Sequence, residues 1–212
     1  MHSARKLLFS FDGTPSYAHN SPENYTEDNM TEKFRKNLIK EIIDHELNMF
    51  LAVNNRGGTS PCQERPESFR IMREMTHGVL SDSFLESYLG DLKQAETEGR
   101  NFMTEKYALM EGLIPPLRDT PQLKEIVNAE SEWRKEVATQ FPRTVQPEGH
   151  EGFCLYLGCE LQTYSDATMN AYYEDIMAAQ QKHHNLVRER YELLMNKLGY
   201  GSLKECEAGL TA

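Results

Sequence analysis

No run of about 18 apolar residues occurs in the 212-residue chain, so the sequence contains no candidate membrane span. The apolar stretch Leu7-Leu8-Phe9 follows Arg5 and Lys6, but it is too short for a secretory signal core and Asp12 cuts it off. The cytoplasm is therefore the expected location. Cysteine is scarce. Cys62, Cys154, Cys159 and Cys206 include no Cys-x-x-Cys, and the spacing of Cys154 and Cys159 splays them on a helix. That argues against a zinc site or a disulfide framework and leaves individual reduced thiols, buried or reactive. Segments of alternating apolar and polar residues are missing, and so are internal repeats, so neither a sheet nor a solenoid is indicated. Positive charge is in deficit, with 23 Lys and Arg against 33 Asp and Glu and a net charge of -10. The phosphate backbone repels such a chain over a Debye length, which excludes a general nucleic-acid coat and makes DNA an unexpected partner. A local basic patch that docks an RNA end remains compatible with that charge.

What is present reads as helix. Residues 10–30 are rich in Ser, Asn, Pro, Thr and Gly and carry no hydrophobic period, so residues 1–30 are expected to be a flexible arm. Residues 31–212 then form a single all-α domain, a bundle of about six helices. The first helix runs from Thr31 to Val53 with Phe34, Leu38, Ile42, Met49 and Val53 on one face. After a break at Asn54 to Pro66 comes a shorter helix, Glu67 to His77. Ser81 or Ser83 caps a long helix to Gly112, which Pro115-Pro116 ends. Thr120 caps the next, with Pro121 at its first position, and it runs to Phe141. Helices over Glu151 to Tyr164 and Asp166 to Leu198 complete the set, the last stopped by Gly199.

Several charged residues fall on the apolar faces of these helices. His45 and Glu46 flank the first stripe, and Glu96 lies among Leu89, Leu92 and Met103. Glu130 and Arg134 sit centrally on the face set by Leu123, Ile126, Val137 and Phe141. Glu160 shares a face with Phe153, Leu157 and Tyr164, and His183 one with Ile176, Val187 and Leu194. Lone buried carboxylates cost several kcal/mol, so these groups must be paired, protonated, metal-bound or facing a cavity. Glu130 and Arg134, four residues apart, read as an internal ion pair, and His45 and His183 as satisfied core histidines. A di-metal carboxylate bundle wants paired Glu-x-x-His motifs. The chain has one, at Glu74 and His77, and Glu74 lies off its apolar face, so no metal site is expected.

Two stretches carry unusual chemistry. In the Asn54 to Pro66 loop, Gly57-Gly58 permits positive φ and frees backbone N–H groups, flanked by Asn55, Arg56 and Arg65. Cys62 is a nucleophile there if a neighbouring cation lowers its pKa; a plain connector with a buried thiol is the competing reading. The loop lacks the Gly-Lys-Ser/Thr of a nucleotide-binding motif. Farther on, Asp91, Glu98 and Glu105 recur every seven residues along one flank, close to Arg100 and Asn101. Such a row is either a solvated stripe or a set of carboxylates that receive a cationic substrate, since a guanidinium binds carboxylates in a bidentate way.

The same stretches carry a family resemblance. Leu51-Ala-Val-Asn-Asn-Arg-Gly-Gly with Cys62-Gln63, Leu85-Glu-Ser-Tyr-Leu-Gly-Asp-Leu leading to Glu98-Gly-Arg-Asn, and Thr104-Glu-Lys-Tyr107 contribute to it. Cys159-Glu-Leu-Gln-Thr-Tyr-Ser165 and Lys197-Leu-Gly-Tyr-Gly-Ser-Leu203 continue it, so that it spans residues 35 to 207. In these the chain resembles a family long known only as a domain of unknown function, which includes the arginine-containing cyclodipeptide synthases. The resemblance implies an aminoacyltransferase whose partners are arginyl-tRNA and a second aminoacyl-tRNA, with a cyclo(Arg-Xaa) diketopiperazine as product. Aminoacyl esters are already activated, so neither ATP nor another cofactor is expected. The residues then suggest roles of their own. Cys62 accepts the first aminoacyl group as a thioester, with backbone N–H groups near Gly57-Gly58 as the oxyanion hole. Asn55, Arg56, Arg100 and Asn101 join Glu98 or Glu105 in holding the arginine substrate, and Glu160 or Tyr164 assists proton transfer. Lys33, Lys36 and Lys40, with Arg65, Arg70 and Arg73, form a basic track for the tRNA. Two alternatives stand beside this: a non-catalytic helical adaptor that binds through its acidic faces, and a metal-dependent helical-bundle oxidoreductase.

Overall fold

Glycine, asparagine and one histidine decide where the long apolar periods break. The computed structural model describes residues 27–54, 58 and 60–210. Its helices are α1 (Glu27–Leu51), α2 (Pro66–His77), α3 (Asp82–Thr97), α4 (Phe102–Met110) and α5 (Pro121–Gln140). A 3-10 turn, Pro147–Gly149, precedes α6 (His150–Leu161), α7 (Asp166–Gln181), α8 (Leu186–Lys197) and α9 (Leu203–Gly209). Among the described residues the fold is all helical, without a strand, as the sequence implied. The expected arm falls outside the described residues up to residue 26, and α1 begins at Glu27, before the Thr31 start expected for it.

Among the described residues nine helices replace the expected six, because two long segments are split and a short one is added. The segment from Ser81 to Gly112 turns at Gly99, whose φ of +70° ends α3. Asn101 then starts α4, its side chain accepting the Thr104 N–H at 2.9 Å. The segment from Asp166 to Leu198 turns at His183, a non-glycine residue at φ +55°, and Asn185 caps α8 by accepting the Arg188 N–H at 2.9 Å. His183 is thus an exposed turn residue and not the core histidine that the helical wheel suggested. The caps at Ser81 and at Thr120-Pro121 fall where the sequence placed them.

One apolar cluster runs from Leu38 to Cys206 and draws on every helix. α1 packs on α2, α3 and α4, α5 on α6, α7 and α8, and the pairs α3·α7, α4·α6 and α2·α8 join the two halves. Phe84, Tyr88, Tyr164 and Tyr172 pack ring against ring where those halves meet, with centroids 4.8–5.8 Å apart and most pairs tilted. No helix among the described residues is long and apolar enough to cross a membrane.

Gly99 tests the break between α3 and α4. A Cβ built there meets nothing within 4 Å, so the cost of Gly99→Ala is backbone strain alone. The variant is expected to lose about 1 kcal/mol, read as a lower urea midpoint with an unchanged slope.

Candidate functional site: a buried charge cluster beneath a polar cleft

Helical spacing places Arg73 and His77 one above the other on the inner face of α2. They meet Glu46 from α1, Tyr88 from α3, Lys106 from α4, and Tyr156 and Glu160 from α6, with Tyr164 in the turn that follows. Arg73 Nε donates to Glu46 Oε2 at 2.8 Å while Nη2 donates to Glu46 Oε1. The other side of the guanidinium donates to Glu160, at 3.2 Å from Nη1 and 2.9 Å from Nη2. Lys106 Nζ donates to Glu160 at 3.0 Å and to the Tyr156 hydroxyl at 2.6 Å. Tyr88 donates to Glu46 at 2.8 Å, Tyr164 to Glu160 at 3.1 Å, and His77 Nε2 lies 3.1 Å from Glu46. All five of Glu46, Arg73, His77, Lys106 and Glu160 are buried, and two carboxylates facing one guanidinium and one ammonium cancel in charge.

Pairing overcomes desolvation in this cluster. Burial alone would raise the Glu46 carboxyl, but Arg73 and His77 outweigh it and bring its pKa down to about 2. Burial is likewise outweighed at Glu160, where Arg73 and Lys106 hold the carboxyl well below the usual range. At Tyr88, Tyr156 and Tyr164 burial and the nearby carboxylates both push the phenol pKa up. Near neutral pH the carboxylates therefore carry no proton and the phenols keep theirs. Glu160 is an anion with every neighbour donating to it, which corrects its expected part in proton transfer: it orients Tyr164.

Tyr164 connects this cluster to the surface. It lines a cleft of about 280 Å³ with Asp91, Arg100, Arg118, Gln162 and Ser165 where α3 ends, α4 begins and two connecting turns meet. Arg100 forks onto Glu105 at 2.9 and 2.8 Å, lies 3.9 Å from Glu98, and stands 5.1 Å over the Phe102 ring. The hydrogen bond to Glu105 and the charges of Glu98 and Asp91 raise its pKa. The acidic row read from the sequence thus does gather round a guanidinium, although the helix carrying it is broken, and that guanidinium is the chain's own. Asp91 accepts the Ser165 N–H at 2.9 Å, and Arg118 pairs with Asp166 at 2.8 Å.

The other expected site residues are spread more widely. Asn55, Arg56 and Gly57 lie outside the described residues, and Gly58 has φ +85°. Cys62 is half-buried against the core and is not among the residues lining the cleft. Its neighbour Gln63 donates to the carbonyls of Phe50 and Val53 at 3.0 Å each, and Asn101 donates to Met49 at 2.8 Å. Both motif-bearing loops therefore close on the last turn of α1, satisfying carbonyls that a helix end leaves open. Asn101 gives one amide N–H to that carbonyl and its oxygen to the α4 cap, so its side chain serves the fold at both ends.

Of the expected tRNA track, Lys33, Lys36 and Lys40 are exposed on α1 and Arg65 is exposed at the start of α2. Lys36 pairs with Glu32, and Lys40 and Arg70 both pair with Asp44 at 2.7 and 2.6 Å. Arg73 leaves the track. At 4% exposure, with its donors on Glu46 and Glu160, it reaches no phosphate.

The inward carboxylates are neutralised by cations. Glu130 pairs with Arg190 of α8, which donates from Nη2 at 2.8 Å, and accepts from Tyr172 at 2.7 Å. Arg134, its expected partner, instead donates to the Gln146 carbonyl at 2.8 Å. His45 and Glu96 pair with each other at 2.7 Å near the surface. Among the described residues no three His, Cys, Asp or Glu are arranged to hold a metal ion. Sequence reasoning missed Arg190 and Arg118, and met Lys106 only as a member of the Thr104–Tyr107 string, without a role. A buried cation has no local mark that separates it from a surface one. Asp91 was visible only as the first member of the seven-residue row.

The class so defined is an all-helical protein whose buried, charge-balanced cluster underlies a polar, arginine-bearing cleft. Residues 36–208 match the family model described as a protein of unknown function, DUF4125, and the chain belongs to that family. No curated protein and no solved structure matches it.

Proposed function

We propose that the chain is a tRNA-dependent cyclodipeptide synthase that joins arginine from arginyl-tRNA to a second aminoacyl group and releases a cyclo(Arg-Xaa) diketopiperazine. The family resemblance over residues 35 to 207 motivates this reading. The observation that carries it into particular residues is the seating of Arg100. Glu105, Glu98, Asp91 and the Phe102 ring make surroundings fit for a guanidinium at the edge of a cleft. In this reading the side chain of the substrate arginine meets Asp91 in the cleft, and Arg118 faces the phosphate of a tRNA end. The α-amine of one aminoacyl group attacks the ester carbonyl of the other, forming an amide and releasing one tRNA through its ribose hydroxyl. The remaining α-amine then attacks the second ester, which closes the ring and frees the second tRNA. Tyr164 lines the cleft with its one hydroxyl hydrogen given to Glu160, so in this reading it shapes the wall beside the reacting esters.

Expression of the full chain in a bacterial host fed isotope-labelled arginine tests this. The expected result is a labelled arginine-bearing diketopiperazine in the medium, and its absence with soluble protein present overturns the reading. Because Cys62 does not line the cleft, direct attack is favoured over a thioester. Cys62→Ala is expected to retain product, with no acyl adduct in the intact mass of the parent chain. Loss of product together with an adduct at Cys62 restores the covalent route.

A further inference from the structure

A second concavity, unconnected with that cleft, lies between α5 and α7 and encloses about 380 Å³. Its lining follows one helical face of each wall: Glu125, Ala129, Glu132, Trp133 and Glu136 from α5, and Tyr173, Ile176, Met177 and Gln180 from α7. The floor is apolar, with Met177 37% exposed, and the rim is acidic, with no Lys or Arg in the lining. Glu125 and Glu136 meet only the neutral Tyr173 and Asn185, while Glu132 forms an exposed pair with Lys135 that a partner's lysine can exchange with.

The complementary surface stands on the same chain. Met30 and Phe34 of α1 are 60% and 54% exposed, the two most exposed large apolar side chains among the described residues. They lie four residues apart, hence on one face, and the exposed Lys33 and Lys40 flank that face seven residues apart. Glu125 and Glu132 repeat that same seven-residue spacing on the groove rim. A groove between packed helices, lined at helical intervals, accepts a third helix as ridges into grooves.

We infer that the α5–α7 groove receives the stretch of α1 from Met30 to Lys40 of a second copy of this chain. Met30 and Phe34 enter over Trp133 and Met177, and Lys33 and Lys40 meet the rim glutamates. The contact does not depend on the synthase reading, and it takes Lys33 and Lys40 out of the tRNA track in the associated form.

Sedimentation velocity of the full chain reads this directly. A mass of two copies or more is expected at about 100 µM in low salt, with dissociation as salt rises. Phe34→Asp, at an exposed position that folding does not need, is expected to give monomer, as is Ala129→Trp, which fills the groove. Reversing the rim with Glu125→Lys and Glu132→Lys is expected to weaken association about tenfold, and so is reversing α1 with Lys33→Glu and Lys40→Glu. Joining both reversals in one chain restores it. Should Ala129→Trp fail to fold, Met177→Arg at the exposed floor position takes its place. A chain that stays monomeric at that concentration overturns the inference. So does association that survives Phe34→Asp, or reversals that do not rescue each other.

Discussion

Arg73→Ala is expected to cost about 3–5 kcal/mol, enough to consume much of the stability of a domain this size. The guanidinium lies between two carboxylates that are themselves buried, and no other residue touches both through a fork of donors. Without it Glu160 keeps Lys106 and Tyr164, while Glu46 keeps only Tyr88 and His77. Arg73→Lys retains charge but reaches fewer oxygens, and an intermediate loss is expected. The effect has a characteristic pH dependence. The Glu46 carboxyl is depressed to about 2 in the folded chain, so its contribution is fully present above the unfolded carboxylate pKa. It is lost as pH falls through that range toward 2. Removing Arg73 removes the largest cause of the depression, so protonation at low pH relieves the variant more than the parent. Urea midpoints should therefore differ most near pH 7 and converge toward pH 3. An equal gap at both pH values would show that lost packing, rather than unpaired charge, is what destabilises the variant.

That cluster marks the boundary of what the amino-acid string discloses. Helix starts were legible because Ser81, Thr120-Pro121 and Asp166 after Ser165 are local signals, each satisfied within three residues. The acidic row was legible as well, because Asp91, Glu98 and Glu105 are drawn to one cation even across a helix break. The break at Gly99 and Asn101 carried a signal, a glycine C-cap followed by an asparagine N-cap. Continuous apolar spacing on both sides of it concealed the break. The break at His183 carried almost none, since positive φ at a non-glycine residue is set by its surroundings. Partner choice was the least legible. Glu130 and Arg134 satisfy the local rule for an ion pair, yet Glu130 takes Arg190, sixty residues away, because α5 packs on α8. Arg73 looked like one of several basic residues beyond a loop. Only the packing of α2 on α1 makes it the centre of the molecule.

Asp91→Ala and Asp91→Asn separate recognition from scaffolding in the cleft. Asp91 has two tasks: one oxygen accepts the Ser165 N–H at the start of α7, and its charge faces the cleft with Arg100 and Arg118. Alanine removes both, and the lost hydrogen bond is expected to cost about 1 kcal/mol. Asparagine keeps an acceptor for Ser165 and removes only the charge. If Asp91 receives the substrate guanidinium, both variants lose arginine-bearing product by about 100-fold, since a charge-assisted fork becomes at most one neutral contact. The melting temperature of the asparagine variant should meanwhile match the parent. Product yield and thermal melting measured side by side read the two tasks independently. Full product from Asp91→Asn with loss only in Asp91→Ala confines Asp91 to holding the Ser165 turn, and the cationic group must then be met by the carboxylates that now hold Arg100.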